Sequence, residues 1–121
     1  MQTYLFVFIG GGLGSICRFG IGHLTAGYRW QFPWATLLAN VLACFLLGIF
    51  VAMNMKGRLV GQTSVLLMAG FCGGFSTFST FSNETVQMMI TGQLTKALVY
   101  VASSLVVCLL AVYLGLKTMN H

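Results

Sequence analysis

Residues Gly70–Thr85 read GFCGGFSTFSTFSNET. The stretch holds paired glycines at Gly73 and Gly74, then sets Ser and Thr between phenylalanines, and ends near Glu84, the one acidic residue of the chain. Each glycine weakens a helix by about 1 kcal/mol relative to alanine. The local expectation is therefore a helix that breaks. What such a break means depends on whether the surrounding chain lives in water or in lipid.

The composition answers for lipid. The 121 residues are 58% hydrophobic and 6% charged, whereas a soluble domain is about a quarter charged. The net charge of +5 does not point to nucleic acid, because the bases Arg18, Arg29, Lys56, Arg58, Lys96 and Lys117 are scattered and form no patch or stripe. Isolated bases between apolar runs look instead like the flanks of membrane spans. Cys17, Cys44, Cys72 and Cys108 each sit in an apolar run without CxxC spacing, and only two histidines are present. Neither a zinc site nor a disulfide framework is expected; the thiols read as small buried hydrophobes.

A bilayer core needs about 20 predominantly apolar residues per helix. Four such spans divide the chain, at 4–24, 34–54, 63–90 and 94–116. Residues 1–121 thus read as a single four-helix transmembrane domain, all α, with the third helix broken at mid-membrane. The first span is too long, and its Arg18 too deep, for a cleaved signal peptide. Tyr28, Trp30 and Trp34 gather at one span end, as interfacial aromatics do.

The loop charges give no orientation. Lys56, Arg58 and Lys117 fall on one face of the membrane; Arg29 and Lys96 fall on the other, with Arg18 near it. A chain without an inside-positive bias can insert both ways. Two opposite copies could then pair about a two-fold axis in the membrane plane, as inverted repeats do within transporters.

Helix faces follow from spacing. Gly10, Gly14, Arg18 and Gly22 share one face of the first helix. Small residues permit close approach, and an arginine in a span should face protein or water, so that face points inward. Thr36, Asn40, Cys44 and Gly48 share a face of the second helix. The mid-span Asn40 is either an interhelical hydrogen-bonding group or a donor aimed into a pathway. Tyr100, Ser104 and Cys108 line up on the last helix, with Ser103 beside them. They read either as self-satisfied hydroxyls or as a track of donors.

The opening stretch can now be placed. A helix broken in the membrane frees carbonyls that need partners, and broken helices in transporters hold cations with them. Oxygen ligands suit a small hard cation, and two crossing chains would supply twice as many. The competing reading is a packing notch, since Gly70-x-x-x-Gly74 also fits close helix contact. Phe78 and Phe81 stand on one face, with Phe71 and Phe75 continuing the stripe backward. A phenylalanine stripe is normally core or lipid-facing, but ring edges are electropositive and can attract an anion. Glu84 belongs either in a water-filled vestibule or beside a basic partner.

Together these residues carry a resemblance. GGFSTFSTFSNET at 73–85 resembles the signature of the small fluoride-channel family called Fluc or CrcB. GGGLGSICRF at 10–19 and PWATLLANVLACFLLG at 33–48 resemble its first and second helices. The resemblance implies an antiparallel, dual-topology homodimer with two pores, in the cytoplasmic (inner) membrane. It places fluoride between the ring edges of Phe78 and Phe81, the pore asparagine at Asn40, and the vestibule glutamate at Glu84. It puts a polar track at Tyr100 and Ser104, with the Ser79 and Thr80 hydroxyls as further donors. A central sodium ion would rest on the main-chain carbonyls of Gly73 and Ser76 of both subunits. Two positions depart from the family: Cys108 stands where a serine is common, and Ser76 where threonine is common.

The implied function is passive, selective export of fluoride. Hydrogen fluoride crosses membranes as a neutral acid and dissociates inside; a channel lets the anion leave down the negative-inside potential. Two other classes compete. A small dual-topology, proton-coupled exporter of cationic compounds would want a carboxylate in the first helix, which holds Arg18 and no acid. A non-transporting membrane scaffold would leave Asn40 and the break unexplained. An enzyme is not expected, because no nucleophile–base pair or metal cluster is present.

Overall fold

The computed structural model describes residues 2–25 and 32–118. Tyr28, Arg29 and Trp30 lie outside the described residues. The protein is all-helical among them. α1 runs Gln2–Thr25 and α2 Trp34–Met55. The third helical run is composite: α3 (Gly61–Ser64), a π-helical segment (Val65–Cys72), α4 (Gly73–Phe75) and, after a break, α5 (Phe78–Ile90). α6, Leu94–Thr118, completes the fold. Four stretches are long and apolar enough to cross a membrane: Gln2–Leu24, Trp34–Met55, Gly61–Ile90 and Leu94–Thr118.

The helices associate as two close pairs. α1 packs along the π-helical segment and α4, and α2 packs along α6. Glycine sets both seams. A Cβ on Gly10 or Gly14 would run into the backbone around Leu66–Phe71 and Phe71–Phe75, and one on Gly74 would meet Gly11. In the other pair, Gly48 and Gly115 face each other, and a Cβ on Gly48 would lie 3.0 Å from the Gly115 Cα. Such backbone approach is the usual basis of helix pairing in lipid, where dispersion rather than hydrophobicity draws helices together.

Two small cores knit the pairs together. Leu37, Met88, Ala97 and Tyr100 form one, with Phe32, Val41 and Phe81 packed on it. Ala39, Ala43 and Phe75 form the other, against Ile21, Leu46 and Phe71. α2 contributes to both, so its two sides bridge the bundle. Leu5, Phe8, Leu98, Leu105, Leu109 and many other large apolar side chains stay exposed on α1 and α6, the surface that suits lipid.

Short connectors are closed by glycine. Gly57 (φ 72°) and Gly92 (φ 81°) follow the ends of α2 and α5 in the left-handed region. At the second, the Gln93 N–H donates to the Met88 carbonyl (2.8 Å) and Gly92 N–H to that of Met89 (3.2 Å). The same pair of bonds recurs from Arg58 to Met53 and from Gly57 to Asn54. This double closure satisfies the last carbonyls of each helix and turns the chain sharply back into the bundle.

The break itself lies later than the glycine pair suggests. Gly73 keeps helical angles (φ −64°, ψ −37°); the chain extends at Ser76 (φ −83°, ψ 157°) and Thr77 (φ −150°, ψ 121°). Gly74 therefore serves as a notch for α1, in line with the packing reading of Gly70-x-x-x-Gly74, and the break is imposed by polar groups two to three residues on. The phenylalanine stripe is divided by it. Phe71 and Phe75 meet at 5.6 Å and pack inward, while Phe78 and Phe81 (5.7 Å) continue on the far side.

Candidate functional site

The break is organised by Asn40. From α2 its Oδ1 accepts the Thr77 N–H at 2.9 Å, and its Nδ2 donates to the Thr77 carbonyl at 3.4 Å. One side chain thus replaces both main-chain partners that Thr77 gives up by leaving the helix. The Thr77 hydroxyl then caps α5, accepting the Thr80 N–H at 3.2 Å, the usual task of threonine at this position. It also meets the Ser79 and Thr80 hydroxyls at 3.2 and 3.3 Å.

These bonds release carbonyls. In an unbroken helix Thr77 N–H would close on the Gly73 carbonyl and Thr80 N–H on that of Ser76. Here the first goes to Asn40 and the second to the Thr77 hydroxyl. The Gly74 carbonyl is taken by Arg18, whose Nε donates to it at 3.2 Å. Arg18 therefore braces the break from α1. The Ser76 hydroxyl folds back to donate to the Cys72 carbonyl at 2.9 Å.

A cavity of about 290 Å³ opens beside the break, between α2, α5 and α6. Asn40, Cys44, Phe78, Phe81, Ser104 and Cys108 are among its walls. Ser104 is buried, and its hydroxyl has no hydrogen-bond partner. Phe81 is partly covered and stacks at a tilt on Tyr100 (5.0 Å), whereas Phe78 is 79% exposed, so one chain encloses the groove on one side only. A second cavity, about 380 Å³, lies across the break and is walled by Arg18, His23, Thr36, Thr77 and Thr80 among others. Thr77 borders both.

Glu84 stands one turn beyond Phe81. Thr36 donates to its Oε2 at 3.0 Å and Tyr100 to its Oε1 at 2.9 Å. Its two oxygens are thus held by hydroxyls from α2 and α6, a third arrangement beside the open vestibule and the basic partner considered from sequence. Tyr100 is fully buried and meets Phe32 edge-on at 5.3 Å. The chain Thr36–Glu84–Tyr100–Phe81 ties the acidic group to the phenylalanine groove.

The expected residues therefore separate. Asn40, Phe78, Phe81 and Ser104 share the groove, and Glu84 and Tyr100 lie directly behind it. Thr80 faces the second cavity. Ser79 is exposed and touches the cluster through Thr77. Gly73 and Ser76 border a smaller cavity of about 190 Å³ with Met68 and Cys72. Two residues of weight were not singled out as site residues by sequence: Thr77, whose role needs the break located, and Thr36, signalled only by its place one turn before Asn40.

Comparison with known proteins gives this arrangement a family. Residues 5–116 match the family described as CrcB-like protein, Camphor Resistance (CrcB). A Thermus thermophilus protein named fluoride-specific ion channel FluC is 41% identical over 118 residues, covering 97% of this chain and 94% of its own. The Opitutus terrae protein of that name is 44% identical, over 95% and 90%, and the Bacillus subtilis fluoride-specific ion channel FluC 2 is 47% identical, over 88% and 79%. With four membrane-length helices and a match that spans nearly all of them, this chain is a multi-pass membrane protein and belongs to the CrcB-like family.

Proposed function

We propose that the protein is a passive, selective fluoride channel, and that the groove between α2, α5 and α6 is its anion pathway. Relatives of this similarity bear the name fluoride-specific ion channel, and a channel of that family is not an enzyme. The observation that carries the pathway is the Ser104 hydroxyl, buried without a protein partner in a groove walled by Asn40 and two phenylalanines. A buried hydroxyl left unpaired costs free energy, so a ligand that accepts its proton belongs there.

Fluoride fits the chemistry. It is small and strongly hydrated, and entering a narrow groove strips its water. Ser104 offers an O–H, the Asn40 amide nitrogen has a second N–H beyond the one it donates to the Thr77 carbonyl, and the ring edges of Phe78 and Phe81 carry positive potential. Tyr100 and Glu84 would act on this path through Phe81, and Ser79 and Thr80 through Thr77. Larger anions meet the same fixed walls with poorer contact.

The exposed Phe78 supports a further step: a second copy closes the groove. In an antiparallel, dual-topology homodimer each chain would complete the other's path, giving two pores in the inner membrane. The released carbonyls of Gly73 and Ser76 fit a sodium ion, since they are hard oxygen donors without their helical partners. Two chains would hold it at the two-fold axis, where it would supply a fixed positive charge binding the breaks together.

Efflux from liposomes containing the purified protein tests the reading. With an ionophore to dissipate voltage, fluoride is expected to leave rapidly while chloride stays. Retention of both ions by folded, dimeric protein would instead favour the cation exporter or the scaffold.

A further inference from the structure

Two cysteines in the groove are not explained by fluoride passage. A thiol is a weak donor and a poor substitute for a hydroxyl toward a hard anion, yet Cys44 on α2 and Cys108 on α6 both line the same wall. The register of the two helices puts them opposite one another. Leu37 packs with Ala97 and Tyr100, and farther along Gly48 packs against Gly115; Cys44 and Cys108 fall between these fixed points. Both are only partly buried and line the cavity that Ser104 also borders.

We propose that Cys44 and Cys108 form a two-thiol site for a soft, linearly coordinating cation of the Cu⁺, Ag⁺ and Hg²⁺ class, entered from the groove. Sulfur selects soft ions over hard ones. The number of ligands selects further: no group of three or more His, Cys, Asp or Glu capable of holding a metal occurs among the described residues, so a tetrahedral zinc site is disfavoured and a two-coordinate ion is matched. Binding replaces each S–H bond with a sulfur–metal bond and releases one proton per thiol. The other cysteines do not line this groove. Cys72 borders the neighbouring cavity with Cys44, away from Cys108, and Cys17 is exposed on α1. An ion held by the pair sits in the wall beside Ser104 and Asn40, so it narrows the groove. This last consequence rests on the groove being the fluoride path; the binding itself does not.

The test uses the full-length, reduced protein, in a Cys17→Ala background, with mercuric ion as the probe. Free thiols are counted by a colorimetric disulfide reagent before and after one equivalent per chain. The site predicts that one ion hides two thiols, that Cys44→Ala or Cys108→Ala abolishes this two-for-one loss, and that Cys72→Ala preserves it. Loss of a single thiol per ion in the parent protein would overturn the site, as would bridging that survives Cys108→Ala or disappears with Cys72→Ala. The thiol count in the parent protein needs only the Cys17→Ala change, at an exposed position on α1. In liposomes the same ion should slow fluoride efflux at least tenfold, reversed by a dithiol, and should spare the Cys108→Ala protein relative to its own untreated rate. Bridging without slowing would overturn the narrowing of the groove alone. A protein that passes no fluoride at all would fail as a channel while leaving the thiol count decisive for the site.

Discussion

At the scale of single residues, Asn40 has two duties that different substitutions separate. Its amide holds the extended Thr77 on both sides and faces the groove. Asn40→Ala leaves the Thr77 N–H and carbonyl without these partners, at about 1–3 kcal/mol per buried group; the thermal midpoint should fall and flux should be lost with it. Asn40→Asp keeps an oxygen for the Thr77 N–H but removes the donor and adds negative character beside an anion path. It should cost about 1–3 kcal/mol for the one Thr77 group left unpaired, less than Asn40→Ala, and abolish fluoride flux, as denaturation and efflux assays on one preparation would reveal. Tyr100→Phe removes a hydroxyl from Glu84 without changing the ring that packs on Phe81, and should cost about 1–3 kcal/mol. An unchanged midpoint would mean the bond carries little stability. Sequence made Asn40 visible because an amide in an apolar span demands a partner. It did not reveal that the partner is Thr77's backbone, or that Glu84 pairs with hydroxyls, since both contacts join residues far apart in the chain.

At the scale of elements, the glycines do different work from that suggested by propensity. Paired glycines weaken an isolated helix, yet Gly73 and Gly74 remain helical because Gly74 is pressed against α1 and the polar groups after it draw the chain open. The helix-face assignments from spacing account for most of the packing: Gly10 and Gly14 do meet the third run, and Thr36, Asn40, Cys44 and Gly48 all point into the bundle. Gly22 continues the first face in sequence, but a Cβ there would meet nothing within 4 Å. The π-helical winding of Val65–Cys72, the segment packed along α1, had no counterpart in residue spacing. Substitution separates seam from surface. Gly48→Ala drives a Cβ into the backbone of Val112–Leu116 and should cost about 1–3 kcal/mol. Gly12→Ala, on the same kind of helix but with open space around it, should be neutral or stabilising by up to about 1 kcal/mol. Equal effects at the two positions would refute the assigned seams.

At the scale of the whole molecule, the proposed pathway is left open on one side by a single chain. The groove is open beside Phe78, the Gly73 and Ser76 carbonyls lack helical donors, and loop charges favour neither orientation. The proposed second, inverted copy would answer all three features. Epitope tags at the C-terminus should accordingly be found on both sides of the membrane in similar amounts; a single fixed side would remove the antiparallel dimer. The four-helix plan was legible because lipid demands long apolar runs, whereas the proposed assembly rests on the absence of charge bias, the open groove and the family resemblance. The groove is the claim on which the rest depends. It is tested most directly by the initial fluoride efflux of the Phe81→Ile protein against the parent, both shown to have the same helix content and oligomeric size. Loss of the ring edge should slow efflux at least tenfold; an unchanged rate would place the anion path elsewhere in the bundle.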